Sequence, residues 1–360
     1  MGFEQLRKEV EDGIAGRNSG IPMGFSRLDR YVGIRKRILT HVFGATGSGK
    51  SAYLHSAYIL NPFDWYMKNK DKTDIKLKVI LFSMERSKVY LLAKWISRKI
   101  FIDQGILIPI PKLLGWWKDN KLTKDEHDLF LMYQDYMNEL LEVVDIIEGP
   151  QNPTGIYKYV RNYAKENGTI DKPTEFTEVY TANHPNEIVI IGEDHVGMTK
   201  IEKPFTNKKE AIDKLSEYNQ GFRDILGYVP ITIGMLTRSL NNPAFTKMDS
   251  FEPTIDDSKE SGRPGEDADV VISLFDPKRY RTTDESYDVD KFVDPQFGGN
   301  YFRSIKILKN SYGEDSIRIG MGFMGSTGIF KELPRKNNMD GFEYNSLFTG
   351  EYFLSTKFDR

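Results

Sequence analysis

Residues 38–60 read ILTHVFGATGSGKSAYLHSAYIL and contain the pattern G-x-x-x-x-G-K-[ST] in full. A strand-like segment precedes the pattern and a helical segment follows it, which is the context in which such a loop binds phosphate. Its glycines let backbone N–H groups surround the phosphates, while Lys50 is placed to reach the β- and γ-phosphates and Ser51 to bind Mg²⁺. The predicted nucleotide-binding residues of this loop are Gly44, Ala45, Thr46, Gly47, Ser48, Gly49, Lys50 and Ser51.

The composition is that of a globular chain without a dominant charge. Its 360 residues are 39% hydrophobic, enough for one large α/β domain or two smaller ones, and the formal net charge is −2. Nucleic acid would therefore have to bind through local basic patches. The absence of cysteine excludes disulfides and thiolate metal sites. No apolar run approaches the roughly 20 residues that span a bilayer, so we expect an intracellular protein without a membrane partner.

Apolar segments alternate with longer helical patterns along the chain. Dense apolar runs such as IVIIG at 188–192 are typical of strands covered on both faces. Strands separated by helices favour a doubly wound, mainly parallel sheet with helices on both faces. Strands are predicted at residues 38–43, 78–83, 188–192, 230–236, 269–275 and 302–310. Helices are predicted at residues 3–14, 50–60, 86–102, 123–142, 155–166 and 207–226.

Acidic residues follow two of these predicted strands. Glu85 comes directly after the strand at 78–83, and Glu193 and Asp194 follow the strand at 188–192. A phosphate loop needs a second anchor for Mg²⁺ and a group that orients the attacking water. We therefore assign Asp194 to Mg²⁺ and Glu85 to the water, with Glu193 as an alternative metal ligand. His195 is either a nucleotide sensor or a structural histidine.

The order of these segments resembles the RecA-like ATPase domain of the DnaB-type replicative helicases, including phage members. The phosphate loop alone is common to many families, whereas the ordered set is far more specific. It divides the chain into a linker helix at 1–18, a motor domain at 19–333 and a C-terminal tail at 334–360. The segments that carry the resemblance are GIPMGFSRLDRYVG (20–33), VILFSMERS (79–87), LLGWWKDNKLTKDEHDLF (113–130), IVIIGEDHVGM (188–198), VPITIGMLTRSL (229–240), DDSKESGRPGEDADVVISLF (256–275) and IKILKNSYGEDSIRIGMGF (305–323).

The resemblance implies an ATP-hydrolysing helicase that uses Mg²⁺ and forms a ring of six identical subunits on single-stranded DNA. Glu85 takes the position of the catalytic glutamate, and Arg238, after the sensor strand, is expected to bind nucleotide. A primase or a helicase loader is a further expected partner. The expected location is the cytoplasm, which is the host's if the protein is viral.

The resemblance also points to a DNA-contacting loop. Lys259, Glu260 and Gly262 take the positions of DNA-binding residues, although the family usually carries arginine where Lys259 stands. Single strands are commonly held by local positive charge and backbone amides, and a ring would bring several copies of the loop to one channel. A second candidate for such contacts is the segment 199–209, with Lys200, Lys203, Lys208 and Lys209, and the other interpretation of these lysines is an ordinary solvated loop.

Two departures concern the nucleotide site. Met235 stands where the family's sensor strand usually carries glutamine. On the terminal hairpin Lys309 fills the position of a cation that acts on the neighbouring subunit's nucleotide, but Ser311 replaces the arginine that usually follows. Arg303 and Arg318 are the alternatives for the missing charge. We predict that Lys309 acts in trans.

The predicted helix at 3–14 has an apolar stripe of Phe3, Leu6, Val10 and Ile14. A free helix of this length is marginally stable in water, so the stripe needs a surface to pack on. That surface is either its own domain or, as the resemblance implies, a neighbouring subunit.

Three functions remain open from the sequence. The first is a helicase motor. The second is a RecA-like ATP-dependent DNA-binding or assembly ATPase that does not unwind, and the third is a catalytically weakened ring that serves as a platform. Strand displacement separates the first from the others.

Overall fold

The computed structural model describes residues 2–236, 252–258, 261–284, 286–335 and 338–354. In this part of the chain a nine-stranded sheet has the order β11-β10-β9-β8-β1-β7-β6-β2-β3. The run from β8 to β3 is parallel, and β9, β10 and β11 extend it as antiparallel strands. The strands are Thr40–Gly44 (β1), Lys76–Ser83 (β2), Val144–Glu148 (β3), Gly168–Thr174 (β4), Thr177–Ala182 (β5), Glu187–Asp194 (β6), Val229–Met235 (β7), Val270–Phe275 (β8), Phe302–Asn310 (β9), Arg318–Met324 (β10) and Ile329–Glu332 (β11).

Helices connect the parallel strands. A π-helical segment at Ser56–Leu60 joins α3 to α4, so that the chain stays helical from residue 50 to residue 69. The α-helices are Gly2–Ile14 (α1), Leu28–Tyr31 (α2), Lys50–His55 (α3), Asn61–Asn69 (α4), Lys88–Gln104 (α5), Ile110–Leu113 (α6), Lys124–Leu131 (α7), Gln134–Val143 (α8), Pro153–Glu166 (α9), Lys208–Asp224 (α10), Arg263–Asp267 (α11), Gly341–Thr349 (α12) and Glu351–Leu354 (α13). None of the described helices is long and apolar enough to cross a membrane.

The sheet is covered on both faces, as its apolar strands require. In β2, Val79 and Leu81 join the core cluster under α3, α4 and α5. Ile80 and Phe82, which alternate with them, join the cluster under α9 and α10. Successive side chains of a strand point to opposite faces, so one strand supplies both layers of the core. The predicted doubly wound, mainly parallel α/β class with helices on both faces is confirmed.

Some elements differ from the expectations. The helix predicted at 123–142 is two helices, α7 and α8, and strand β3 follows them at the sheet edge. The β4–β5 hairpin, outside the main sheet, was not predicted. Its strands are largely exposed, so burial leaves little periodic signal in their sequence.

The region after residue 334 has structure that its weak periodicity did not indicate. Asp340 caps α12 through a capping box with Glu343. Leu347 and Tyr352 are fully buried in a cluster that includes Phe101 of α5. These residues therefore pack on the domain that contains the main sheet rather than extend from it.

Candidate nucleotide-binding site

The phosphate loop lies at the carboxyl end of β1, the point where the chain order of the sheet reverses. Neighbours of β1 are β7 on one side and β8 on the other, and such switch points are where open α/β sheets bind ligands. Gly49 has a φ of 98° immediately before α3. A Cβ there would lie 3.0 Å from ring carbons of both Phe323 and Phe330, so the loop needs glycine for its backbone angle and for space.

Lys50 is the first residue of α3, and its side chain folds back over the loop. Its Nζ donates to the carbonyl oxygen of Ala45 at 2.8 Å. Burial lowers the pKa of Lys50 to about 8, while the nearby carboxylates of Asp194 and Glu85 favour the charged form. A desolvated ammonium bonded to a single carbonyl is suited to bind an anion.

Ser51 and Asp194 meet next to Lys50. The Ser51 hydroxyl donates to Oδ1 of Asp194 at 3.0 Å, which links the start of α3 to the end of β6. Burial raises the pKa of Asp194 to about 6, although its bond from Ser51 favours the carboxylate. A hydroxyl and a buried carboxylate are oxygen ligands of the kind that Mg²⁺ prefers. This pair therefore fits the predicted magnesium site.

Glu85 stands after β2 at the mouth of the same cavity. Its side chain is half-exposed, 3.3 Å from the guanidinium of Arg86 and 3.9 Å from Nε2 of His195. None of its described contacts holds the phosphate loop. The carboxylate is thus available to a water molecule in front of a bound phosphate.

These groups line one cavity of about 370 Å³, within the usual range of small-molecule sites. Its walls also include Arg86 and Lys94, which the sequence did not assign to nucleotide binding, and His195, predicted to be either a nucleotide sensor or a structural histidine. Met235, at the position where the resemblance places a sensor residue, lines the cavity as well.

Glu193 lies on the other face of β6 from Asp194. It is fully buried and accepts a hydrogen bond from Nδ2 of Asn219 at 3.1 Å. Burial raises the pKa of Glu193 to about 8, which favours the neutral acid at physiological pH. The structure therefore separates this alternative metal ligand from Ser51 and the cavity.

Two arginines far along the chain support the phosphate loop. Nε of Arg303 donates to the carbonyl oxygen of Ser48 at 3.0 Å, and its guanidinium pairs with Asp276 at 3.3 Å. Arg279 donates to the carbonyl oxygen of Thr46. Arg303 is buried in its own subunit and cannot supply a cation to a neighbour. Neither support was predicted, because no sequence spacing links these arginines to a loop about 230 to 255 residues away.

Lys309 lies at the opposite end of the sheet from its own phosphate loop. The antiparallel register pairs Val271 with Lys309, whereas Phe275, near the loop, pairs with Ser304. Nζ of Lys309 donates to the carbonyl oxygen of Glu266 at 2.7 Å. Lys309 thus does not contact the nucleotide cavity of its own chain.

Three predicted site residues lie outside the described part of the chain, namely Arg238, Lys259 and Glu260. Gly262 is described and precedes the first residue of α11. Just before the undescribed residues 259–260, Ser258 pairs with Leu236 in an isolated β-bridge. The predicted DNA loop therefore starts next to β7, whose last residue lines the nucleotide cavity.

Comparison with known proteins finds similarity in structure alone. No protein-family model and no curated protein matches the chain. A solved ATPase domain superposes with a TM-score of 0.65 at 19% identity, over 92% of this chain and 98% of that one. A DnaB-like replicative helicase, solved in a study of its interactions with primase, superposes with a TM-score of 0.64 at 20% identity. That match covers 92% of this chain, which spans 66% of the helicase chain. The chain therefore has the RecA-like fold that these ATPase and helicase structures share.

Proposed function

We propose that the chain is the ATP-driven motor of a ring-forming replicative DNA helicase, which binds single-stranded DNA and uses ATP with Mg²⁺. The observation that carries the proposal is the meeting of Lys50, the Ser51–Asp194 pair and Glu85 in one cavity. The similarity to a DnaB-like helicase over 92% of the chain supports the helicase class. A primase or a helicase loader is the further partner that this class suggests.

Each residue of the cavity has a defined task in this proposal. Backbone N–H groups of the loop and the Lys50 ammonium bind the phosphates. Ser51 and Asp194 would hold Mg²⁺, which would neutralise charge on the terminal phosphates. Glu85 accepts a hydrogen bond from the attacking water and orients it. In this proposal the loops that face DNA convert ATP hydrolysis into movement along the strand.

The decisive experiment measures ATPase activity with and without single-stranded DNA, and strand displacement on a forked duplex. We expect DNA to stimulate hydrolysis and the fork to be unwound. DNA-stimulated hydrolysis without unwinding would instead support an ATP-dependent DNA-binding ATPase. A chain that hydrolyses no ATP would contradict the proposal as a whole.

Ring assembly is supported by the exposed stripe of α1. The exposed fraction is 76% for Phe3, 56% for Leu6, 52% for Val10 and 84% for Ile14. The stripe therefore does not pack on its own domain, which was one of the two interpretations. An apolar stripe left in water needs a second surface to stabilise the helix.

A matching surface lies between α5 and the pair α7 and α8. It is an apolar groove of about 510 Å³ whose lining includes Leu92, Ile96, Leu122, Phe130, Leu131 and Met137. The stripe of α1 runs over eleven residue steps, about 17 Å, which is shorter than the 17-residue α5 along the groove. We propose that α1 of a second copy occupies this groove.

Assembly is tested with two variants, one in which both Leu6 and Val10 are replaced by aspartate and one in which Leu131 is replaced by aspartate. Two buried apolar side chains contribute several kcal/mol, so we expect the association constant to fall by at least about 100-fold. Lys8→Asp, on the opposite side of α1, is the matched control. Analytical ultracentrifugation with ATP present reports the particle mass. An unchanged mass in all variants, and after deletion of residues 1–18, would remove α1 from the interface.

The DNA prediction concerns Lys259. Lys259→Ala should weaken binding of single-stranded DNA similarly for all sequences, because the residue is proposed to meet backbone phosphate. The slope of log K against log salt should fall by about 0.7 for each lost contact. Lys72→Ala, an exposed lysine in the turn after α4, is the control. Binding that depends on base sequence would contradict a channel that follows the backbone.

A further inference from the structure

Lys94 is a cation in the nucleotide cavity to which neither the motif nor the resemblance gave a role. It lies in the second turn of α5, and its side chain lines the cavity together with Ser51, Glu85 and Asp194. A Cβ built on Gly328 would lie 2.9 Å from Cε of Lys94 and 3.3 Å from its Nζ. The same point is 3.2 Å from Cβ of Ala52. The ammonium therefore sits beside the first turn of α3, next to the predicted Mg²⁺ ligand Ser51.

No residue of the described chain forms a hydrogen bond or an ion pair with this ammonium. Lys94 is partly buried, and the buried cations nearby are engaged: Lys50 with the carbonyl of Ala45, Arg98 with Ser56 and Asn61, and Arg303 with Asp276. Burial lowers the pKa of Lys94, and the charges of Arg86 and Arg98 act in the same direction, against the attraction of Asp194. A desolvated charge without a partner is unfavourable unless a ligand supplies the opposite charge.

The position of Lys94 indicates which part of a bound nucleotide lies closest to its ammonium. Asp194 is close enough to affect Lys94 electrostatically, but its Oδ1 already accepts the bond from Ser51. Lys94 thus lies at the end of the cavity where Mg²⁺ and the attacking water are expected. The group nearest to both in a bound nucleoside triphosphate is its terminal phosphate.

We infer that Lys94 binds the terminal phosphate of ATP from within the same subunit. The inference rests on the proposed nucleotide binding and adds to it a residue that distinguishes ATP from ADP. The need for such a cation follows from this chain's departures. Met235 has no polar group to contact the phosphate, and Ser311 carries no charge. Lys94 supplies a charge-assisted hydrogen bond that ADP cannot accept.

The test compares binding of ADP with binding of a non-hydrolysable ATP analogue, each with Mg²⁺, by calorimetric titration. We expect Lys94→Ala to lower the affinity for the analogue by about 10- to 100-fold, the range for one lost hydrogen bond to a charged group. The affinity for ADP should be unchanged. Lys94→Arg keeps the charge and should restore most of the difference. Lys88→Ala removes the same charge from the same helix outside the cavity and is the control.

A melting experiment separates this role from a structural one. Lys94→Met removes the partly buried charge while keeping most of the length of the side chain. We expect its melting temperature without nucleotide to be at least that of the wild type, and the extra stabilisation by the ATP analogue over ADP to be lost. A wild-type preference for the analogue that survives in Lys94→Ala would overturn the inference alone. If Lys94→Ala weakens the binding of ADP and of the analogue equally and lowers the melting temperature, Lys94 is a structural residue and the inference is wrong. If the wild type binds neither nucleotide, the proposed function is wrong as well.

Discussion

Replacement of Glu85 by glutamine is expected to leave ATP binding nearly intact while hydrolysis falls by about 10²–10⁴-fold, the usual contribution of a general base. The amide keeps the size of the side chain but no longer accepts a proton from water. Glu85 is half-exposed, and its described ion-pair neighbours are Arg86 and His195 rather than the loop. The change should therefore alter kcat and not the affinity for nucleotide.

The measurement pairs steady-state hydrolysis with titration of a non-hydrolysable ATP analogue. Glu142→Gln, an exposed glutamate on α8 outside the cavity, is the matched control. Asp194→Asn should behave differently, because the loss of a proposed metal ligand weakens Mg²⁺-dependent binding. Near-normal turnover in Glu85→Gln would show that another group activates the water.

The parts of the site that follow directly from a strand could be predicted from the sequence. Loop residues 44–51, Glu85 and Asp194 all come at the carboxyl ends of parallel strands. Such ends meet at one edge of the sheet, so acidic residues that directly follow apolar runs are expected to lie close together there. In the structure Glu85, Asp194 and residues of the loop line one cavity.

The supports of the loop could not be predicted in this way. Arg303 lies within an antiparallel strand and reaches Ser48 across 255 positions. From the sequence it was a candidate for the cation that acts on the neighbouring subunit's nucleotide. A strand pattern does not indicate which cavity a buried cation faces. Lys94 poses the same problem. On α5 it is one lysine among several, and only the tertiary structure shows that it lines the cavity.

The sequence predicted only some of the apolar packing surfaces. The stripe of α1 was visible from its spacing, but whether it was covered depended on the rest of the fold. Its exposure in the described chain, together with the groove beside α5, turns the spacing into a prediction about two surfaces. Burial of Leu347 and Tyr352 had no comparable signal, because the short helices α12 and α13 give too few periods to read.

Lys309→Ala is expected to bind ATP normally and to hydrolyse it about 10³–10⁵-fold more slowly, the range for a cation inserted by a neighbouring subunit. Lys309 lies at the end of the sheet remote from its own cavity, so its loss should not disturb its own phosphate loop. The two alternative cations form ion pairs with carboxylates of their own chain, whereas the described bond of Lys309 goes to the carbonyl oxygen of Glu266. Arg303 holds Ser48 and Asp276, and Arg318 pairs with Glu252.

Mixing experiments distinguish action in trans from action in cis. A Lys50→Ala subunit cannot bind the phosphates but still presents Lys309, whereas a Lys309→Ala subunit has an intact phosphate loop. Each variant alone should be inactive, and mixed rings should recover part of the turnover because some interfaces then contain both intact groups. Arg303→Ala is the contrasting variant, since it weakens the loop of its own subunit and should not be rescued by Lys50→Ala. Wild-type hydrolysis in Lys309→Ala alone, or no recovery on mixing with it, would place the trans cation on another residue.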